Sequence, residues 1–540
     1  MTVLDFATPQ LAVLAAAILI FVLGRAYSRK DDSASKVLIS LPIVGLRKEW
    51  FAWTLASLRS YWFTKDWAFD GYLKYGKANQ PFIIPSLDRG PMVIVPPKQI
   101  KKLYDLPEDV LDIHAVQNVT IQTRWTIKDQ EVADNDFQIN VVRNQITRNL
   151  GTLTPVIARE LVLGFEQWWG VNTEQWREVK IWDSCLKLVA GASNGAFCGT
   201  PLCRDAKFLD LLRDHGITVF AGALAINSTP KPFRAITGKF VNLSCNYYFR
   251  KALKLMLPVV KERLDNAAKL KADTSYNWTP PKDGLQWLID ECYASGDPAQ
   301  LDPERVSFRL LFVNDISLHS TAYTAHNVIL DLWTTDPASG VVETLTDECK
   351  TVFQEAGGKW TREAITKLKL VDSAIRESMR LAPFATVGLP RCVVHPDGVT
   401  LKSPELHLPQ GSMLAIPIEP IHQDNDIYPD AKKFNAFRFA QPGGVTDILS
   451  SANFADEAAQ QAPKSTVTLD NAFLGFGFGK HACPGRFFAL NELKVFMALL
   501  LLNYDVQYMP SRPPLTNRIW LKYPQDIPVR VRRKPGTLLA

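Results

Sequence analysis

The chain has 540 residues, 47% of them hydrophobic, so it can bury a large core. Its 61 basic and 55 acidic residues are spread along the chain and give a net charge of +6. A nucleic-acid-binding protein would concentrate its positive charge, so this class is excluded as a first interpretation. The eight cysteines form no C-x-x-C pair, which argues against zinc-ribbon and disulfide-rich folds and favours a reducing compartment.

The amino terminus contains an apolar run at residues 6–24, followed at once by Arg25, Arg29 and Lys30. A helix of this length rises about 28 Å, close to the thickness of the hydrocarbon layer of a bilayer. A cleaved secretory signal is the alternative, but the basic residues lie after the apolar run rather than before it. This polarity predicts a membrane anchor at residues 1–30, with the body of the protein in the cytoplasm.

A polar stretch and a proline turn at Leu41–Gly45 make residues 31–45 a linker. After the linker, the sequence shows no internal repeat and no shift in amino-acid composition. Residues 46–540 are therefore predicted to form one large domain. Periodicity and turn residues indicate that this domain is mostly helical with a minor amount of sheet.

Three predicted helices matter for function. Asp302 and Pro303 are typical of a helix start, and no glycine or proline follows until Pro337, which predicts a helix of about 33 residues and roughly 50 Å. A second helix is expected at residues 368–381. A third, at residues 487–502, is apolar almost all round and must be buried. Weak strands are expected within residues 388–417, and an ordered, turn-rich loop at residues 420–439.

The segment Phe476–Gly485 has the properties that a thiolate ligand to iron requires. Gly477, Gly479 and Gly485 allow tight turns that bring amide groups near the sulfur of Cys483. The helix that follows favours a negative charge at its amino end. A single cysteine suits a metal whose other ligands come from a porphyrin. The alternative is a buried structural cysteine in a glycine-rich turn.

This segment resembles the heme-binding loop of the cytochrome P-450 family, whose pattern is F-x-x-G-x-x-x-C-x-G. Phe476, Gly479, Cys483 and Gly485 match its four fixed positions. The resemblance implies a single large triangular domain, mainly α with small β-sheets, that binds heme b through Cys483. Several further points, such as Gly199–Cys203, resemble the fungal membrane-bound branch of secondary metabolism, which implies an endoplasmic reticulum membrane location.

Two more segments resemble family motifs. Glu377 and Arg380 match the E-x-x-R motif, and three residues apart on a helix they lie on one face. The loop after this helix looks like the one that supplies a second arginine, here Arg438. The resemblance therefore implies a buried network of Glu377, Arg380 and Arg438, although the family's usual proline before that arginine is absent. A surface ion pair is the alternative for the E-x-x-R spacing.

The family's central helix carries an acid–alcohol pair that delivers protons to dioxygen. The matching run is Ile316–Thr321, with Ser320 at the alcohol position and His319 at the acid position. Thr321 could share the task. The alternatives are a His319 that faces the core and a Ser320 that bonds back to the preceding helical turn.

The resemblance also implies cationic partners for the two heme propionates. His481 stands at the family's arginine position two residues before the cysteine, and Arg391 matches a second contact. Arg143 is a third candidate, although the family's tryptophan before it is missing. Each of these could instead be a solvated surface charge.

By resemblance, five apolar side chains should line a substrate pocket: Trp125, Phe220, Phe312, Val387 and Leu389. A mostly apolar pocket implies a lipophilic substrate, such as a terpenoid, an indole-derived compound or a polyketide intermediate. The expected reaction is insertion of one oxygen atom from O2, as hydroxylation, epoxidation or a multi-step oxidation.

No nicotinamide- or flavin-binding motif is present, so electrons from NADPH must arrive through a separate NADPH-cytochrome P-450 reductase. Lys432, Lys433, Lys480 and Arg486 are candidates for its docking face, and a simple solvated surface is the alternative. A redox-neutral rearrangement by a heme-thiolate enzyme is a rival activity. A non-catalytic membrane scaffold or heme sensor is the rival from another class.

Overall fold

A computed structural model describes residues 40–402, 405–440 and 464–536. The predicted anchor at residues 1–30, and residues 31–39 of the linker, lie outside the described residues. Among the helices that are described, none combines the length and the apolar character needed to cross a bilayer.

The domain is mainly helical, as predicted. The described α-helices are α1 (Ala52–Gly71), α2 (Ile100–Tyr104), α3 (His114–Ile121), α4 (Thr123–Thr126), α5 (Gln130–Asp134), α6 (Phe137–Asn140), α7 (Leu150–Trp168), α8 (Ile181–Phe197), α9 (Ala206–Ser228), α10 (Arg234–Ala272), α11 (Gly284–Ala294), α12 (Pro303–Trp333), α13 (Val341–Glu355), α14 (Arg362–Lys367), α15 (Lys369–Leu381), α16 (Ile418–His422) and α17 (Arg486–Asn503). Short π-helical turns at Tyr72–Gly76 and Val141–Ile146 continue α1 and α6.

The predicted central helix is α12, which begins at Pro303 and ends at Trp333. Asp302 caps it, since its carboxylate accepts a hydrogen bond from the backbone N–H of Arg305 at 2.9 Å. The helix contacts α8, α9, α10, α15 and α17. At 31 residues it is about 46 Å long and crosses the helical core.

The predicted buried helix is α17, and its residues 490–503 are all buried, including Glu492 and Lys494. Lys494 is paired with Asp372, with 3.1 Å between Nζ and Oδ2. The carboxyl group of Glu492 accepts a hydrogen bond from Ser193 at 2.8 Å. A helix that is apolar on all sides is thus enclosed by its neighbours, as its sequence requires.

The sheet content is minor, also as predicted. The strands are β1 (Phe82–Ser86), β2 (Gly90–Ile94), β3 (Leu111–Asp112), β4 (Arg177–Lys180), β5 (Gly388–Val393), β6 (Val399–Lys402), β7 (Glu405–Leu408), β8 (Met413–Ile416), β9 (Tyr504–Val506), β10 (Thr516–Arg518), β11 (Leu521–Tyr523) and β12 (Pro528–Arg533).

The largest sheet has the strand order β1-β2-β8-β5-β3. Its β2 and β8 are parallel, with Met92 opposite Met413, and its other pairs are antiparallel. A three-stranded sheet, β4-β12-β9, places Val179 opposite Val529. Both sheets join segments that are far apart in the chain.

Candidate active site

The Cys483 loop, residues 476–485, lies immediately before α17. Gly477 and Gly479 have φ angles of +83° and +67°, which side chains with a Cβ rarely adopt. The backbone N–H of Cys483 donates to the carbonyl of Phe476 at 2.8 Å, which closes the loop. The glycine pattern therefore folds the chain back on itself and presents one sulfur at the amino end of a buried helix.

The surroundings of this sulfur act on its charge in opposite directions. Burial raises the pKa of the Cys483 thiol, whereas the backbone N–H groups of Gly485 and Arg486 and the guanidinium of Arg486 lower it. Among the described residues, no group of three or more His, Cys, Asp or Glu side chains could hold a metal ion. Cys483 is therefore a solitary soft donor with amide groups directed toward it.

Two basic side chains lie near this loop. Arg391, on β5, is buried, and its guanidinium lies 4.8 Å from the centre of the Tyr104 ring. His481 lies with its Nε2 3.2 Å from a carboxylate oxygen of Glu108. Burial lowers the pKa of His481, and the charge of Arg391 lowers it further. The two predicted propionate ligands are thus near enough to influence each other.

Arg143 is exposed and belongs to the π-helical turn that follows α6. Its neighbour Val142 contacts the Cys483 loop, since a Cβ on Gly485 would lie 3.5 Å from Val142 Cγ1. The third predicted propionate ligand is therefore an exposed residue next to one that contacts the same loop.

The predicted alcohol group lies on an accessible face of α12. Ile316 is 42% exposed, and Ser320, one turn later, is exposed as well, although residues 321–333 are all buried. The Ser320 hydroxyl donates to the carbonyl of Ser317 at 3.2 Å. This is the bond to the preceding turn that was the alternative to proton delivery, and it leaves the oxygen lone pairs of the hydroxyl accessible. Thr321, the residue that could share the task, is buried.

His319, at the predicted acid position, does not share this face. Its ring packs against α9, where a Cβ on Gly216 would lie 2.8 Å from His319 Nε2. Adjacent residues point about 100° apart on a helix, so His319 and Ser320 diverge. Burial lowers the pKa of His319, although the charge of Asp315 acts to raise it.

The structure brings Glu377, Arg380 and Arg438 together in a fully buried cluster. Arg380 holds Glu377 with two hydrogen bonds of 2.7 and 2.8 Å, and Arg438 Nε donates to the same carboxylate at 3.0 Å. Arg438 also donates to the carbonyl of Pro429 at 2.7 Å. Two guanidinium groups on one carboxylate therefore tie α15 to the loop that follows α16.

The five predicted pocket residues are placed differently from one another. Phe220 on α9 is exposed, and Phe312 on α12 and Leu389 on β5 are half-buried. The half-buried Trp125 ring packs on α10, where it occupies the space that a side chain at position 238 would need. Val387 is fully buried among the side chains of the large sheet. The described contacts do not join the five into one cavity.

Sequence reasoning missed several neighbours of these residues. Asp315 lies one turn before His319 and on the same helix face, and this i, i+4 spacing of two titratable residues was the available signal. His215, which pairs with Asp315 at 2.9 Å, comes from another helix and gave no local signal. Tyr104 and Glu108, beside Arg391 and His481, were likewise only visible in three dimensions.

The four predicted docking residues differ in their exposure. Lys432, Lys433 and Lys480 are exposed, whereas Arg486 is half-buried and donates to the carbonyl of Cys483 at 3.0 Å. Lys433 is paired with Asp430 at 3.1 Å. Lys432 and Lys480 are thus the more accessible cations of this group.

Comparison with known proteins shows the family of the chain. The cytochrome P450 family model matches residues 246–527. Cytochrome P450 monooxygenase okaG of Penicillium ochrochloron is 44% identical over 503 residues, which cover 91% of this chain and 93% of that protein. Cytochrome P450 monooxygenase gloP of Glarea lozoyensis is 32% identical over 506 residues, which cover 91% and 90%. The chain therefore belongs to the cytochrome P450 family and is a monooxygenase.

The family implies a heme cofactor, and the residues at this site fit it. A single sulfur ligand, outside any described group of three or more metal-binding side chains, matches an iron whose other ligands would come from a porphyrin. Arg391 would supply a guanidinium for the propionates, and His481, whose lowered pKa favours the neutral ring, would supply an N–H donor. The exposed face of α12 at Ile316 and Ser320 combines an apolar side chain with a hydroxyl group.

Proposed function

We propose that this monooxygenase inserts one oxygen atom from O2 into a lipophilic small molecule, in secondary-metabolite biosynthesis. A terpenoid, an indole-derived compound and a polyketide intermediate are the candidate substrate classes. The observation that supports the proposal most strongly is the closed, glycine-turned loop that presents Cys483 at the start of α17. Bound heme supplies the activation of dioxygen, and a thiolate ligand favours O–O cleavage.

In this proposal, the protein's own residues bind, orient and deliver protons. Cys483 would hold the iron of the heme, and Arg391 and His481 would hold its propionates. Ile316 gives an apolar surface to the side where substrate binds. Ser320 keeps a hydroxyl on the same face, one turn away, and relays a proton to the open side of α12.

The proposal includes a membrane anchor at residues 6–24 in the endoplasmic reticulum, with residues 46–540 in the cytoplasm. An exposed apolar stripe on α10 supports a membrane-facing surface: Ile236, Phe240, Leu243 and Tyr247 are 53–68% exposed and lie about one turn apart. Removal of residues 1–30 is expected to shift the protein from the membrane pellet toward the soluble fraction. Unchanged pelleting at high salt would assign the attachment to the body instead.

The experiment for the central claim is the spectrum of the purified protein, reduced and exposed to carbon monoxide. We expect the red-shifted Soret peak of thiolate ligation, and we expect Cys483→Ser to lose it. Cys392→Ser is the matched control, because Cys392 is the other half-buried free cysteine among the described residues. Loss of the peak in the control but not in Cys483→Ser would overturn the assignment.

The reaction class is tested with membranes that contain the protein and an NADPH-cytochrome P-450 reductase, supplied with 18O2 and candidate intermediates. Product that carries one 18O atom and requires NADPH supports the proposal. Product that forms without NADPH would identify the redox-neutral rearrangement. Heme binding without turnover of any candidate would support the sensor.

A further inference from the structure

Leu389, on β5, has a backbone conformation that leucine rarely adopts. Its φ angle is +52°, in the left-handed region that favours glycine, because a Cβ atom crowds the backbone there. The strand is irregular at the same point. Gly388 lies opposite Ile416 and Arg391 lies opposite Leu414, so three steps along β5 match two steps along β8 and form a β-bulge. Strained backbone of this kind persists only where neighbouring groups hold it, and it is concentrated at functional sites.

Tyr104, the last residue of α2, holds this bulge. Its hydroxyl donates to the carbonyl of Leu389 at 2.6 Å, across a separation of 285 residues in the chain. Tyr104 is 2% exposed. Burial raises the pKa of its phenol, so the hydroxyl keeps its proton and remains a donor near neutral pH. The carbonyl of the strained residue therefore has a buried partner from a distant part of the sequence.

Both partners of this hydrogen bond also contact the cysteine loop. A Cβ on Gly477 would lie 3.5 Å from Leu389 Cδ2, and a Cβ on Gly479 would lie 3.4 Å from the carbonyl oxygen of Tyr104. These two glycines are the loop residues with positive φ angles. The backbone of the loop sets the shape of the loop, whereas these contacts set its position relative to α2 and β5.

Arg391, two residues after Leu389, is positioned by the same tyrosine. Its guanidinium lies 4.8 Å from the centre of the Tyr104 ring, within the range of a cation–π attraction. One of its N–H groups donates to the carbonyl of Pro390 at 2.9 Å, inside the bulge. The hydroxyl of Tyr104 thus fixes the bulge, and its ring faces the cationic group that follows the bulge.

We propose that Tyr104 is a positioning residue that fixes the spacing between the Cys483 thiolate and the Arg391 guanidinium, the two groups that would hold the heme. Without its hydrogen bond, the strained backbone at Leu389 would relax toward the extended conformation of a strand. This relaxation would move the Leu389 side chain away from Gly477 and turn the segment that carries Arg391. The thiolate ligand would then be lost more easily, in a protein that keeps its fold. This inference rests on the heme ligation in the proposed function.

The variant that removes only this hydrogen bond is Tyr104→Phe, which keeps the ring beside Arg391. Tyr504→Phe is the matched control, because Tyr504 is 1% exposed and its hydroxyl also donates to a backbone carbonyl, that of Gly170, at 2.9 Å. The Tyr504 hydroxyl also accepts from Arg533 at 3.2 Å, so its removal should cost at least as much stability. The control residue lies at the opposite end of α17 from the cysteine loop.

The first measurement is the carbon monoxide spectrum of the full-length, heme-loaded and reduced protein, followed over time in dilute urea. In Tyr104→Phe, the red-shifted Soret peak of thiolate ligation should disappear about three- to tenfold faster than in the wild type. Tyr504→Phe should lose the peak at the wild-type rate, although its thermal stability is no higher than that of Tyr104→Phe. A wild-type rate in Tyr104→Phe, or the same acceleration in both variants, would overturn the proposal.

A substitution at Leu389 separates positioning from a general loss of stability. Asparagine branches at the same carbon as leucine and adopts positive φ angles more readily, so Leu389→Asn reduces the need for the hydrogen bond. Addition of Tyr104→Phe to Leu389→Asn should therefore accelerate the loss of the thiolate peak by less than about twofold. The full acceleration in this background would overturn the role of the bulge.

The second measurement is the rate of heme transfer to an excess of apomyoglobin. Tyr104→Leu removes the ring as well as the hydroxyl, so it should release heme faster than Tyr104→Phe. Equal rates in the two variants would overturn the positioning of Arg391. Neither measurement requires turnover: a wild type that shows the thiolate peak but forms no NADPH-dependent product would overturn the proposed function and leave this proposal standing. Absence of the thiolate peak from the wild type would overturn both.

Discussion

The two sides of the site are built in different ways. On the cysteine side, local backbone fixes the geometry: the glycines at 477 and 479 set the turns, and the amide of Cys483 closes the loop on Phe476. On the α12 side, the helix is regular, and the position of His319 is decided by another helix through the bare surface of Gly216. A loop whose shape is set by its own backbone can be recognised from a sequence motif. A side-chain position that is set by a neighbouring helix can be seen only in the three-dimensional structure.

The test with the largest expected effect removes the carboxylate of the buried Glu377 network, another part of the molecule that a motif encodes. Glu377→Gln leaves two buried guanidinium groups without their carboxylate, so it should cost about 3–5 kcal/mol of unfolding free energy and reduce heme content. Glu355→Gln is the control, because its pair with Lys367 at 3.0 Å is exposed and should contribute less than about 1 kcal/mol. Equal losses in urea unfolding would show that burial does not decide the effect.

A second test concerns α17, which begins at the cysteine loop. Burial raises the pKa of Glu492 to about 8, from an ordinary value of 4.5. The folded state therefore keeps a proton that the unfolded chain releases, and stability falls as the pH rises from about 4.5 toward 8. Glu492→Gln should remove this loss.

We expect Glu492→Gln to raise the free energy of unfolding by on the order of 3 kcal/mol at pH 7.5 and to change it little at pH 4.5. Thermal unfolding at the two pH values measures it. A variant that is destabilised equally at both would show that Glu492 is ionised in the folded protein.

A third test addresses the loop backbone. Gly477→Ala places a side chain at φ +83°, where its Cβ would meet only ordinary contacts, the nearest at 3.4 Å from Ala482 Cα. The cost is therefore conformational, about 1–2 kcal/mol, and should appear with a weaker carbon monoxide Soret peak. Gly151→Ala, at an uncrowded site in α7, should instead gain about 0.5–1 kcal/mol.

The test with the smallest expected effect on stability concerns Ser320 on α12. Ser320→Ala should keep the heme spectrum and the stability, while about tenfold more electrons appear as hydrogen peroxide. Ser320→Thr retains a hydroxyl and should stay coupled. Full coupling in Ser320→Ala would show that water or Thr321 supplies the proton.

Much of the fold could be predicted from the sequence, because its signals are local. The cap at Asp302 and the absence of glycine or proline gave α12 to within a few residues, and the apolar composition of residues 487–502 gave the burial of α17. The long-range strand pairs were not predictable, since β8 lies hundreds of residues from its partner β2, and β4 lies hundreds of residues from its partner β12.

The candidate site could be predicted from the sequence only where its signals are local. The residues of the cysteine loop and the Glu377 network are encoded by spacing, and the structure brings them together. His319 was placed by its position in a motif, but its ring direction depends on the residue at 216 of α9, which no pattern in α12 reveals. Val387 was expected to line a pocket, and in the structure it is buried with residues of the large sheet such as Met92 and Ala415.

The strand order has a consequence for synthesis of the protein. Helices α7 to α12 contact one another across modest separations in the chain, so they can associate while the ribosome is still translating. Among the described strands, β4, near residue 180, has β12 as its one partner, and β12 ends at residue 533. During synthesis, β4 therefore stays without this partner strand until translation is almost finished. We expect a stop codon that removes only β12 to give a product that is degraded by proteases.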